Sequence, residues 1–564
     1  MISCPSNLPP CSTKHDMNSL PDIQSLSLAQ QVAQMVVVRA SGYLFDHQIQ
    51  YPAWEPPAAK LQHWIQDWGV GGVILLGASA GELALRSRQL QEYAPIPLLI
   101  AADIEEGVGQ RFAGATSFPP PMAMGAIACE NLDQAQYYAL KKGAITAQEA
   151  LAIGINWILA PVVDVNNNPQ NPVINVRAFA DTPETVSQLA CQFIRGTQDY
   201  PVLTTAKHFP GHGDTAIDSH LNLPILSHSR SRLAEIEFPP FQAAMAAGVD
   251  AVMTAHLLIP SLDEQFPATL SEKVLTQVLR QELGFEGLIV TDALIMGAIA
   301  NRYGATEAPV KAVEAGADIL LMPVNPETTI QAICEAVTAG RISRDRILAS
   351  VERIWQAKTK INAGAEVPVR QSEPSQPLSF LNHLAQPTAM QTVTQILRDS
   401  QQVGGSLPLR SKPLANSSQG RNLIIVDDLL TCDVLGRNAP AVTIPQQFGY
   451  QLQWVDRHTP GISREENDRL IPTLLQLFIR GNPFRNTAGL TAVATDWLQH
   501  LLKNQILEAL VIYGSPYTLE QFLPHLPAQT PYVYSYGQMP EAQAIALKVL
   551  FDQIESGYGL TEFI

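Results

Sequence analysis

The chain predicts an α/β architecture: a (β/α)8 barrel followed by a smaller open α/β layer domain. Three observations carry that reading. At 564 residues the chain is too long for one hydrophobic core. Short apolar, β-branched runs alternate with amphipathic stretches through its first two thirds. A Gly-, Pro- and polar-rich segment then separates these from a second alternating region.

The runs are MVVV (35–38), VGGVILL (70–76), PLLIAAD (97–103), WILAPVVDV (157–165), VLTTAKH (202–208), AVMTAHLLI (251–259), GLIVTDAL (287–294) and ADILLMP (317–323). Continuous apolar runs suit strands buried on both faces, as in a parallel sheet. Stretches such as ETVSQLACQFIRGTQ, LAEIEFPPFQAAMAAG and SEKVLTQVLRQEL read as the intervening helices. An open doubly wound sheet gives a similar pattern, but eight strands within about 300 residues fit a barrel better. The barrel closes with the helix around 344–361, giving a barrel domain over 23–365 and a linker over 366–380. In the C-terminal domain, 381–564, the segments 422–428, 450–456, 507–516 and 531–537 read as strands. That domain has no phosphate-binding glycine fingerprint and no ionisable cluster, so it reads as structural or interfacial.

Composition narrows the function classes. A formal net charge of −16 disfavours nucleic acid and anionic membrane as partners. Six scattered cysteines without a CxxC pair suit a reducing compartment. Residues 1–22 lack a basic and apolar leader and read as disordered, with Met17 an alternative start to Met1. No apolar run reaches membrane-spanning length, and the expected location is the cytoplasm.

Several runs end in ionisable residues: Asp103, Asp164, Lys207, His208, His256 and Asp292. In a barrel the C-terminal strand ends converge on one mouth, which gathers these positions into one pocket. The loop after the fifth strand, KHFPGHGDTAIDSH (207–220), holds His208, His212 and His220. Pro210, Gly211 and Gly213 preclude a helix, so the HxxxH spacing lacks the geometry of a helical zinc site. A metal site from His212, Asp214 and His220 remains an alternative; the expectation is no metal and no cofactor. Asp218 and His220 allow a dyad in which the carboxylate fixes the imidazole tautomer for proton transfer, although their spacing alone favours a solvated polar loop.

The motif KHFPGHGDT..DSH resembles the signature of family 3 glycoside hydrolases of the bacterial β-N-acetylglucosaminidase type. FPATLSEKVLTQVLRQELGFEGLIVTDALIMGAI (266–299), DIEEGVGQRF (103–112), NPVINVRAF (171–179), VMTAHLLIP (252–260) and VEAGADILLMP (313–323) resemble the same family. The similarity spans most of 26–360 and is far weaker beyond. It implies Asp292 as nucleophile, His220 as acid/base and Asp218 as its partner. It also implies that Asp103, Arg111, Arg177, Lys207, His208 and His256 hold a terminal N-acetylglucosamine.

The chain departs from the family pattern in places. Glu106 and Val108 stand where a glycine and an arginine are usual, Val176 replaces an acidic residue, and Ala293 replaces a second aspartate. The implied activity is an exo-acting, retaining β-N-acetylglucosaminidase on peptidoglycan fragments such as muropeptides, in cell-wall recycling. The alternatives are a phosphorylase releasing N-acetylglucosamine-1-phosphate, a different β-glycosidase specificity, a metallohydrolase, and an idle sugar-binding scaffold.

Overall fold

The computed structural model describes residues 20–215, 223–362, 379–409, 420–459, 462, 470–480 and 487–551. Residues 1–19 of the expected disordered start and 366–378 of the linker lie outside these residues, and Asp22 caps a short 3-10 turn at Ile23–Ser25.

All eight expected barrel strands are present: β1 (Val36–Ser41), β2 (Gly72–Leu76), β3 (Leu99–Ala102), β4 (Trp157–Ile158), β5 (Leu203–Phe209), β6 (Ala251–Thr254), β7 (Leu288–Val290) and β8 (Leu320–Leu321). They form one parallel sheet in the order β7-β6-β5-β4-β3-β2-β1-β8. A parallel bridge from Val290 to Ile319 joins its two edges, so the sheet closes. Nearly every strand residue is buried, which is why these segments read as unbroken apolar runs.

The regular ladder of β4 is much shorter than the run 157–165 suggests. Pro161 has no N–H to offer a neighbouring strand, and only an isolated bridge, Val162 to Lys207, continues the pairing. The stretch LAEIEFPPFQAAMAAG also divides. Leu233–Glu237 has i→i+5 bonding and Phe238–Ala246 is α-helical, with Pro at its first turn. Proline removes the donors that one continuous helix would need there.

The C-terminal domain is a six-stranded sheet of β9 (Gln402–Gly404), β10 (Gly420–Val426), β11 (Tyr450–Val455), β12 (Thr473–Ile479), β13 (Leu507–Gly514) and β14 (Tyr532–Ser535). Its order is β11-β10-β12-β13-β14-β9, with only β9 antiparallel. The central strands feed two cores by alternation. Leu423, Ile425, Leu475 and Leu477 join the large cluster shared with the barrel. Ile424, Val426, Leu474 and Phe478 join a second cluster with Phe448 and Leu547.

Two buried charges distinguish the barrel's N-terminal face. Asp318 is fully buried and meets Arg280 at 2.7 Å, Arg353 at 3.1 Å and Arg346 at 3.5 Å. It also accepts from Ile289 N and Ser350 Oγ, so it ties β7 to the helix Arg344–Asn362. Asp318→Ala should destabilise the fold by about 3–5 kcal/mol, because three arginines then lose a shared buried partner. Denaturant unfolding measures this, and a change below about 1 kcal/mol would refute it.

Lys358, on the same helix, is fully buried and donates to Gln34 Oε1 at 2.6 Å. Burial pushes its amine down to about 7. The folded state therefore releases this proton near pH 7, whereas the unfolded chain holds it to about 10.4. Stability consequently rises with pH across that window and is lowest below it. Relative to Lys358→Met, the wild-type chain should gain up to about 1.4 kcal/mol per pH unit there. Parallel unfolding curves of both proteins at pH 7 and pH 9.5 check the sign.

Candidate active site

The mouth of the barrel gathers side chains from the ends of β3, β4, β5, β6 and β7. Lys207, near the end of β5, is almost wholly buried, yet its Nζ lies 2.7 Å from Asp103 Oδ1 and 2.6 Å from Glu105 Oε1. Glu105 also takes a two-point contact from Arg177, Nε at 2.9 Å and Nη2 at 2.7 Å. Arg177 Nη1 donates to the Val173 carbonyl, which anchors the guanidinium to its own loop.

Burial alone would push the Glu105 carboxyl up, but Arg177 and then Lys207 hold it well below the usual carboxylate range. Burial alone would depress the Lys207 amine, and Asp103 and Glu105 reverse that. Each ion is thus held charged by the others, as a buried network requires. Asp103 is the most accessible member, one third exposed, and lies at the rim of the group.

A second buried set adjoins it. The Asp164 carboxylate accepts from His208 N at 3.1 Å and His212 N at 2.7 Å, and meets His208 Nδ1 at 2.8 Å. Burial would raise this carboxyl, but His208 above all lowers it. Asn171 donates to both the His212 and Gly213 carbonyls at 2.8 Å. Asp164 and Asn171 thereby fold the start of the histidine loop back over β4.

Two glycines permit this fold. A Cβ at Gly213 would stand 1.8 Å from the Val165 carbonyl oxygen, and Gly211 adopts φ +136° against Glu237.

His212 is buried, and its Nδ1 lies 2.9 Å from Thr215 Oγ1. Burial pushes its imidazole down to about 4, so it is neutral at ordinary pH. Asp214 turns instead toward His228, 3.3 Å away, and Arg232. Among the described residues no group of three or more His, Cys, Asp and Glu is arranged to hold a metal ion. Asp218 and His220 fall in the segment 216–222 and lie outside the described residues.

Asp292 follows β7, and its Oδ1 accepts from Ala293 N at 2.7 Å. Its charge reaches His212, where it favours the protonated imidazole without outweighing burial. His256 is fully buried, with Nδ1 2.8 Å from Thr269 Oγ1 and Nε2 3.1 Å from the Ala293 carbonyl. Its ring therefore braces the backbone beside Asp292. Arg111 is exposed at its loop, and its Nε donates to the Asp103 carbonyl at 3.1 Å.

The expected residues Asp103, Arg177, Lys207 and His208 are thus brought together, with Arg111 behind Asp103 and His256 behind Asp292. Sequence reasoning did not single out Glu105 or Asn171. Glu105 sits inside DIEEGVGQRF, and its signal was the doubled acid after a strand end. Asn171, in NPVINVRAF, carries no signal beyond its motif.

Chemically, the pocket offers cationic donors and a rim carboxylate for hydroxyl groups, and a separate carboxylate, Asp292, at a rigid strand end. The model of the glycosyl hydrolase family 3 N-terminal domain matches residues 27–357. That of the bacterial glycosyl hydrolase family 3 C-terminal domain matches 414–552. The chain is 33% identical over 387 residues to β-hexosaminidase A of Pseudoalteromonas piscicida, covering 63% of each protein. It is 34% identical over 295 residues to a β-hexosaminidase of Thiobacillus denitrificans, covering 52% of this chain and 77% of that one. It spans 63% of the first of these relatives, and 54% of a β-N-acetylglucosaminidase/β-glucosidase of Cellulomonas fimi. A family 3 β-N-acetylglucosaminidase structure from Paenibacillus sp. superposes with TM-score 0.75 at 30% identity, covering 94% of this chain and 98% of that one. With both domain models matched in order along one chain, this protein belongs to glycoside hydrolase family 3.

Proposed function

We propose that the chain is an exo-acting, retaining β-N-acetylglucosaminidase that releases terminal N-acetylglucosamine from peptidoglycan fragments. The observation that carries the reading is the pocket itself. A Glu105–Arg177–Lys207 network holds Asp103 at its rim in the barrel mouth, and another carboxylate, Asp292, follows the strand end of β7 at that same mouth. Relatives named β-hexosaminidase and β-N-acetylglucosaminidase support the sugar assigned to it.

In this reading Asp103, Lys207, Arg177 and His208 orient the terminal ring through its hydroxyls, with Arg111 supporting Asp103. Asp292 attacks the anomeric carbon as the bond to the leaving oxygen breaks, giving a glycosyl ester. His220, oriented by Asp218, gives its proton to the leaving oxygen. It then takes one from the water that hydrolyses the ester. His256 holds the backbone beside the nucleophile. His212 and Asp214 shape the loop, with no metal or cofactor required. A peptidoglycan fragment suits a histidine donor, because no added carboxylate then repels a lactyl group on the leaving sugar. The cell-wall recycling role and a cytoplasmic site of action belong to the same proposal. Among the described residues no helix is long and apolar enough to cross a membrane.

Asp292→Ala should lower turnover of an aryl β-N-acetylglucosaminide by at least about 10³-fold with the fold intact. Unchanged turnover would sink the nucleophile assignment. The same assay run with and without phosphate identifies the product: free sugar supports hydrolysis, sugar-1-phosphate a phosphorylase. Glu105→Gln should cut kcat/KM about 10- to 100-fold, since Lys207 and Arg177 lose their shared anion. An equal kcat/KM in the variant would show that the network does not orient substrate.

A further inference from the structure

The second domain meets the barrel at the loops that build the sugar pocket. Arg480 directly follows β12, and its Nη1 lies 2.9 Å from Glu106 Oε2, with Nη2 on Glu106 Oε1. Glu106 is buried and is the residue next to Glu105 in the loop after β3. The two consecutive acids thus serve opposite sides: Glu105 turns to Arg177 and Lys207, Glu106 to the other domain.

Two further contacts reach the loop after β4. Ser515 Oγ, just beyond β13, lies 3.1 Å from Asn175 Oδ1, and Tyr517 Oη accepts from Asn166 Nδ2 at 2.8 Å. Asn175 is two residues from Arg177, and Asn166 two from Asp164. The C-terminal ends of β12 and β13 therefore brace both walls of the pocket.

From this geometry we infer that Arg480 is a positioning residue for the sugar pocket: paired with Glu106 across the domain interface, it holds the loop after β3 in the shape that places Asp103 and Glu105. The inference rests on the pocket being the sugar-binding site proposed above. The loop is short and internally tied. Gly107 N donates to Ile104 O, Gly109 N to Thr116 O, and Phe118 N to Glu106 O. A displacement at Glu106 therefore passes to Glu105 one residue away and to Asp103 three residues away. Small displacements of positioning groups have large effects on binding.

Glu106 stands where the family pattern has glycine, and a glycine has no side chain to pair with Arg480. Lys142, buried and also attracted by Glu106, donates to the Pro119 carbonyl at 3.4 Å. Without Arg480, Glu106 keeps a cation in its field but loses the two-point contact that fixes its direction.

The proposed nucleophile and acid/base lie on other loops, after β7 and β5. Disturbing the loop after β3 should therefore change binding of the ring more than the chemical step. In the full-length chain, Arg480→Met should raise KM for an aryl β-N-acetylglucosaminide about 3- to 30-fold, with kcat nearly unchanged. Arg480→Lys should restore part of the loss. Hydrogen–deuterium exchange of residues 103–112 should rise in the Met variant, a readout that needs no substrate. A lower melting temperature with KM and loop exchange both unchanged would overturn the inference and leave a merely structural bridge.

If the wild-type chain does not turn over this substrate, the activity reading falls. Loop exchange in the two Arg480 variants then decides the bridge alone: equal exchange in wild type and Met variant refutes it. Should Arg480→Met fail to fold, Glu106→Gln tests the same two-point contact more gently. Faster exchange over residues 103–112 supports the inference, and unchanged exchange counts against it.

Discussion

One carboxylate organises the mouth of the barrel. Glu105 lies buried between the Arg177 guanidinium and the Lys207 ammonium, two cations from different strand ends. Burial alone would favour the neutral Lys207 amine, and Asp103 and Glu105 together reverse that, while Glu105 gives the buried guanidinium its main anionic partner. With it, the loops after β3 and β4 and the end of β5 are joined by charge-assisted contacts whose geometry is directional. Asp103 is then left at the rim, one third exposed, with its Oδ1 held by Lys207. The pocket's shape is thus set by a network whose members each require the others, so it behaves as one unit.

Much of this was legible in sequence, for identifiable reasons. The eight strands showed because burial on both faces removes polar residues from them, leaving runs such as VGGVILL. The pocket showed because polar residues at such strand ends interrupt otherwise apolar patterns. The second domain is less fully legible: TLLQLFI (473–479), as apolar as any barrel strand, forms β12 at the centre of the second sheet and lies outside the four segments expected there. The antiparallel edge strand β9 is three residues long and largely exposed, and exposure leaves no apolar run to find. Glu105 was hidden because its partners lie 72 and 102 positions away, a pairing that only the closed barrel creates. Arg480 is the extreme case: its partner lies 374 positions away in another domain. The proposed proton-transfer pair, Asp218 and His220, rests on its spacing and family motif, and both residues lie outside the described ones.

The charge inventory of the pocket bears on the proposed use of a histidine. Asp103, Glu105, Asp164 and Asp292 share the mouth, against Lys207 and Arg177 as cations beside them. An imidazolium entering such a field is favoured while Asp292 carries its charge, which suits a proton donor for the first step. Once Asp292 is esterified, that anion is gone and the field weakens. The neutral imidazole is then favoured, which suits a base acting on water in the second step. The covalent bond that stores the sugar would thereby also reset the proton donor. Asp164 likewise favours the charged form of His212, but burial outweighs it, so that imidazole is held neutral and kept to loop packing. Two histidines eight residues apart would then serve different ends because one is sealed beneath the loop, whereas proton exchange requires the other to reach the leaving oxygen and water.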